Sequence, residues 1–104
     1  MNNVDIFDDL WQVICQRSTE LSDKKSYTRY LLFHEKGIDK VLEKVGEESC
    51  EFILAVKNGN EESIVNETAD LMFHVMVALK AANVDFYKVK EELKLRRSYQ
   101  HLHD

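Results

Sequence analysis

The chain contains no proline and only three glycines in 104 residues. These two residue types end helices and shape tight turns, so their scarcity favours long helices over a turn-rich β fold. The expectation is an all-α bundle of four to five helices, with residues 1–104 forming a single domain. Such a domain lies at the small end of the usual range, where core is often shared between copies. A homodimer, or else a tetramer, is therefore expected to complete the bundle.

Apolar spacing places the helices. A first helix over 5–19 carries Ile6, Leu10, Val13, Ile14 and Arg17 on one face, and the polar stretch 20–25 reads as a loop. A short helix over 27–35 would stop near Gly37. The strongest pattern runs over 38–57, where Ile38, Val41, Leu42, Val45, Ser49, Phe52, Ile53 and Val56 make one stripe. Asn58-Gly59-Asn60 breaks it, and Asn60 can cap a fourth helix reaching about Ala82. That helix has a stripe of Ile64, Val65, Thr68, Leu71, Met72, Val75 and Leu79. Phe73 and Val77 lie off this stripe, which predicts a second buried face at a subunit interface. Asp85 can cap a last helix from Phe86 to about Arg97, followed by a polar tail.

Two acidic pairs carry the chemistry. Glu48 and Glu51 stand three apart in KVGEESCEF, and Glu67 and Asp70 stand three apart in NETADLMFH. Residues three apart share a helix face, so each pair is a two-carboxylate claw. A short connection makes the third and fourth helices antiparallel and lets the claws face each other. Four clustered carboxylates repel unless a cation joins them, and hard oxygen donors suit Mg²⁺, with Mn²⁺ able to substitute. The competing reading is a solvated or salt-bridged face. Both pairs border an apolar stripe, Glu51 has Ala55 and no lysine at i+4, and Asp70 interrupts an apolar run. A di-iron carboxylate site is excluded by its need for Glu-x-x-His. The residues three before His34, His74, His101 and His103 are Leu31, Leu71, Ser98 and Gln100.

The net charge of −5 argues against a nucleic-acid partner, for which a basic face is expected. It also means that an anionic substrate would need metal and nearby lysines to reverse the local sign. Cys15 and Cys50 lack metal-ligand spacing and are expected to be reduced, buried thiols. No apolar run approaches bilayer length and MNNVDIFDD has no signal-peptide pattern, so a cytoplasmic protein without membrane contact is expected.

Ser26-Tyr27-Thr28, EKGIDKVLEKVGEESCEF, AVKNGN and NETADLMFHVMVAL together resemble a known group. The acidic motifs are similar to those of the all-α nucleoside-triphosphate pyrophosphohydrolases, which include MazG-like enzymes and dimeric dUTPases. Within that group the segments from Ser26 to Arg97 resemble the phosphoribosyl-ATP pyrophosphohydrolase family. The resemblance implies a MazG-like bundle that hydrolyses the α–β phosphoanhydride of phosphoribosyl-ATP, giving pyrophosphate and phosphoribosyl-AMP in the second step of histidine biosynthesis. It implies Glu48, Glu51, Glu67 and Asp70 as Mg²⁺ ligands. Glu47 is the candidate general base, with Glu48 able to exchange roles with it.

Tyr27, Thr28, Lys44, Lys57 and His74 are the candidate substrate contacts. For the two lysines a solvated role stays open, and for His74 a role in orienting a ligand or a satisfied place at the core edge. Gly46 costs the helix about 1 kcal/mol, which close approach of substrate or another helix would offset. Phe73 departs from the tyrosine expected there in many relatives. A separate cyclohydrolase is expected to act next. The rival functions are a house-cleaning pyrophosphohydrolase of the same fold and a non-catalytic helical interaction module.

Overall fold

In a computed structural model of the chain, residues 5–19 and 25–103 are described, with side chains as far as Ser98. They form α1 (Ile6–Thr19), α2 (Tyr27–Leu32), α3 (Ile38–Asn58), α4 (Glu61–Ala81) and α5 (Phe86–His103). No strand occurs among the described residues. The loop expected over 20–25 lies, apart from Lys25, outside them. Two boundaries differ from expectation. α2 stops at Leu32, because Phe33 closes its cap and a turn reaches Gly37, and α5 continues past Arg97 to His103.

Local signals set most helix ends. Ser26 Oγ accepts the Arg29 N–H and Asn60 Oδ1 accepts the Ser63 N–H. Asp85 Oδ1 accepts the Tyr87 N–H at the start of α5. Each carboxyl, hydroxyl or amide oxygen satisfies a donor that the first helical turn leaves unpaired. Gly59 ends α3 with φ of 79°, a left-handed conformation that suits glycine, and its N–H reaches the Ala55 and Val56 carbonyls.

The short Gly59-Asn60 connection folds α4 back antiparallel along α3, and these two 21-residue helices form the spine of the molecule. α1 and α2 lie across them. The buried core is Ile14, Leu31, Val41, Met76 and Val77, with Phe7, Leu10, Trp11, Leu32, Phe73 and Phe86 packed around it. Phe86 meets Phe7 and Trp11 at ring separations of 6.1 and 5.9 Å. Lys90 bridges Asp5 at 3.0 Å and Asp8 at 2.7 Å, tying α5 to the first turn of α1.

The inward faces of α3 and α4 coincide only in part with the predicted stripes. On α3 the buried line is Val41, Glu48 and Ala55, whereas Ile38, Leu42, Ile53 and Val56 are exposed. On α4 the buried residues are His74, Met76 and Val77, whereas Val65, Met72 and Val75 are exposed. Val77, and Phe73 beside it, belong to the chain's own core and not to the interface expected for them. Cys50, expected to be buried, is exposed; Cys15 is half-buried, and neither forms a disulfide. Gly46 is exposed and a Cβ there would meet nothing within 4 Å, so no helix of this chain makes the close approach expected for it.

A monomer of 12.2 kDa is expected to expose about 6,100 Å² and to have a radius of gyration of about 13 Å. The chain exposes 7999 Å² and its radius of gyration is 15.8 Å. Large apolar side chains of the stripes, Leu42, Ile53 and Val65 among them, are part of what is exposed. α2 is too short to persist alone, so its place depends on burial of Leu31. Leu31→Ala should cost about 2–5 kcal/mol in denaturant unfolding. A loss below about 1 kcal/mol would show that α2 is not docked as described.

Candidate metal centre

The seam between α3 and α4 places acidic side chains where a helix pair ordinarily buries apolar ones. Glu48 stands on the inward line between Val41 and Ala55, and only 7% of its surface is exposed. Glu67 and Asp70 reach it from α4, and one carboxylate oxygen from each of the three lies within 4.8 Å of the others. The Glu51 carboxyl lies within hydrogen-bonding reach of both Glu48 and Glu67. Glu48 of the first claw and both members of the second, Glu67 and Asp70, therefore meet, while Glu51 supplies no oxygen to that set.

The electrostatics record the crowding. The Glu48 carboxyl is held above the ordinary carboxylate value by burial first, then by the hydrogen bond and charge of Glu51 and by Asp70, with Lys44 opposing. Glu67 is raised first by its hydrogen bond to Glu51, then by burial and by the charges of Glu51, Glu48 and Asp70. Glu48 Oε2 and Glu67 Oε2 are buried with no hydrogen-bond partner. Orphaned acceptors of this kind are costly and call for a proton or a cation. An all-oxygen set of carboxylates fits a hard divalent ion in the way it would not fit a softer one.

The remaining candidates divide by position. Lys44 is half-buried and pairs with Glu47 at 3.0 Å and Glu48 at 3.8 Å. Glu47 lies beside the cluster and is mainly exposed, held by that lysine. Thr28 is buried within α2. Lys57 is not brought to the cluster: nine residues beyond Glu48, it faces the opposite side of α3, about 13 Å along the axis. Arg96 pairs with Glu92 on its own helix.

His74 is 5% exposed and both its ring nitrogens are engaged. Nδ1 lies 2.7 Å from the Asp70 carbonyl, which can only accept, so Nδ1 carries the proton. In the neutral ring Nε2 is then an acceptor, and the Tyr27 hydroxyl donates to it at 2.8 Å. This geometry satisfies His74 at the core edge and leaves no nitrogen for substrate, and its bond to the Asp70 carbonyl also places it to orient that residue. Phe73 stacks on Tyr27 with ring centroids 6.2 Å apart, so the ring is used at this position without a hydroxyl. The Tyr27–His74 link joins residues 47 apart, and no local pattern announces it.

A helical bundle whose central seam gathers carboxylates with unpaired oxygens is an all-α protein with a cluster that could hold a metal ion. The comparisons make this specific: a sequence model of phosphoribosyl-ATP pyrophosphohydrolase matches residues 7–97, and the chain belongs to that family. It is 65% identical to a phosphoribosyl-ATP pyrophosphatase of Methanocorpusculum labreanum, with all of both chains aligned. A protein of the same name from Methanoregula boonei is 62% identical, over 86% of this chain and 85% of its own. One from Clostridium novyi is 42% identical over 93% of this chain and 86% of its own.

The raised carboxyls give the metal-free chain a definite pH dependence. A group that binds its proton more tightly when folded favours folding where it is protonated. That contribution is complete below the ordinary value of 4.5 and is lost as pH rises through the raised values of Glu48 and Glu67. In chelator, the melting temperature should therefore fall as pH is raised from this region toward neutrality. Glu48→Gln should flatten the fall and melt higher than the parent at neutral pH. A lower melting temperature for Glu48→Gln there would show that the carboxylate is structural.

Proposed function

We propose that this chain, acting as a single domain, hydrolyses the α–β phosphoanhydride of phosphoribosyl-ATP to phosphoribosyl-AMP and pyrophosphate, with Mg²⁺ as its cofactor and Mn²⁺ able to replace it. The observation that carries this reading is the meeting of Glu48, Glu67 and Asp70 oxygens within 4.8 Å, two of the carboxylates having orphaned oxygens, in a member of this family. Full-length identity of 65% to a protein named for that activity supports the substrate. In the proposal Glu48, Glu51, Glu67 and Asp70 hold the metal. Bound there, the ion would polarise the phosphoanhydride and offset charge on the departing pyrophosphate.

The chain's own residues have distinct tasks. Glu47 lies at the solvent edge beside the cluster, where it can accept the proton of an attacking water. Lys44 keeps the Glu47 carboxylate directed toward the cluster and adds a positive charge for the phosphates. Tyr27 and His74 fix the turn of α4 that bears Asp70. Thr28 anchors the short helix that presents Tyr27. The protein is proposed to be cytoplasmic; among the described residues no helix is long and apolar enough to cross a membrane. A separate cyclohydrolase would take the product.

A homodimer completes the proposal. Leu42, Ile53, Leu54, Val65, Met72 and Val75 are exposed large apolar residues on the two central helices. The surface excess of about 1,900 Å² over a compact monomer matches what each partner gives up in an obligate dimer. Sedimentation equilibrium should return a dimer, and Met72→Glu should shift it toward monomer. A monomeric parent chain would overturn this assignment.

Pyrophosphate release from phosphoribosyl-ATP, dUTP and dCTP should favour the first, and preference for a free deoxynucleotide would select the house-cleaning reading. Glu48→Gln and Asp70→Asn should each lower kcat at least about a hundredfold. Mn²⁺ should raise the melting temperature of the parent but not of these variants. Equal metal response in parent and variants would favour a non-catalytic helical module.

A further inference from the structure

Phosphoribosyl-ATP has two anionic ends, a triphosphate and a ribose phosphate, on either side of a flat purine. The carboxylate cluster can serve only the triphosphate, through its cation. The other end needs cations of the protein itself, and the purine needs an exposed aromatic face. Both must adjoin the cluster.

An open cavity of about 650 Å³ beside α2 has these properties. Its walls include Tyr27, Tyr30, Phe33 and His34, with Lys25 and Arg29 among its lining residues and no carboxylate among the described ones. Tyr27 and Tyr30 lie nearly parallel, 18° apart with centroids separated by 6.1 Å, and about half of each residue is exposed. His34 backs Tyr30 edge-on at 5.2 Å, and the Tyr27 hydroxyl is pinned to His74. The aromatic surface is thus held in place before any ligand arrives. Lys40 Nζ stands 5.9 Å from the Tyr30 ring, and neither Lys25 nor Lys40 has an ion-pair partner among the described residues. Arg29 is already committed, donating to the Arg17 carbonyl at 2.7 Å and lying over Phe33.

Tyr27 belongs to both regions. Its hydroxyl meets His74, which is bonded in turn to the Asp70 carbonyl, and its ring lies alongside Tyr30. We infer that this cavity is the subsite for the purine and ribose phosphate of the substrate, with Tyr27 at its border with the carboxylates, Tyr30 as the stacking face and Lys25 as a phosphate contact. The assignment rests on the proposed activity. It adds a specificity determinant, Tyr30, that lies outside the acidic motifs. Its charge fits: a cationic, aromatic recess next to an anionic cluster matches a ligand whose metal-bound and metal-free ends differ.

Tyr30→Leu removes the ring but keeps an apolar side chain at an exposed position, and Lys25→Ala removes one surface charge. Steady-state pyrophosphate release by the full chain should show KM for phosphoribosyl-ATP rising about tenfold in Tyr30→Leu, with kcat little changed. Inhibition by phosphoribosyl-AMP, which retains the purine and second phosphate, should weaken in both variants. Inhibition by pyrophosphate, which belongs at the metal cluster, should not. A parent enzyme that turns over phosphoribosyl-ATP while both variants keep its KM and product inhibition would overturn the subsite and leave the activity standing. A parent chain with no turnover of that substrate would remove both.

Discussion

The seam between α3 and α4 is held together against the repulsion of its own side chains. A helix pair of this length would be most stable with apolar residues along the whole inward line. Here Val41 and Ala55 keep that role at either end while Glu48 occupies the middle, facing Glu67 and Asp70. The cost is met by features outside the cluster: the left-handed Gly59 turn, the Asn60 cap and the core around Leu31, Met76 and Val77. In the proposed function, stability is given up locally so that a cation has somewhere to bind, the trade expected of a functional site.

That trade bears on the rest of the architecture. Among the described residues, five fully buried apolar side chains are a small core for a chain of 104 residues. The inner faces of the two longest helices are partly spent on carboxylates and His74, so the outer faces carry much of the apolar surface. An apolar groove of about 570 Å³ between α4 and α5, lined by Leu71, Met72, Val75, Phe86 and Leu93, continues this exposed surface. Pairing with a second copy would bury on the outside what the site displaces from the inside. The function and the proposed oligomeric state then have one physical origin.

The helices and the acidic convergence were legible because their causes are local. Ser26, Asn60 and Asp85 cap helices through atoms two or three residues away, and Gly59 turns the chain where an α-helix must stop. The three-residue spacing of Glu48 with Glu51 and Glu67 with Asp70 fixes a shared helix face before any tertiary contact forms. The inward direction was less legible. Apolar periodicity marks surface to be removed from water without saying whether the same chain covers it. Leu42 and Val75 lie on the predicted stripes, as Val41 does and Val77 does not, yet Val41 and Val77 are the pair buried here. Lys57 shares α3 with Glu48, yet a half-turn of helix phase separates the two.

α2 lies where these threads meet. Six residues cannot hold a helix by backbone hydrogen bonds alone, so α2 exists only while Leu31 and Thr28 remain packed against the spine. Yet it carries Tyr27, whose hydroxyl fixes the acceptor nitrogen of His74, which in turn holds the carbonyl of Asp70. The most marginal helix is therefore coupled through two hydrogen bonds to the turn that presents a carboxylate to the cluster. Such an element suits the substrate-facing side of a site, where local opening is easier than in a long helix. In the proposed function a rigid spine would place the charges that hold a metal, while a short docked helix would supply the contacts that distinguish one nucleotide from another. Tyr27 is where the two requirements become the same residue.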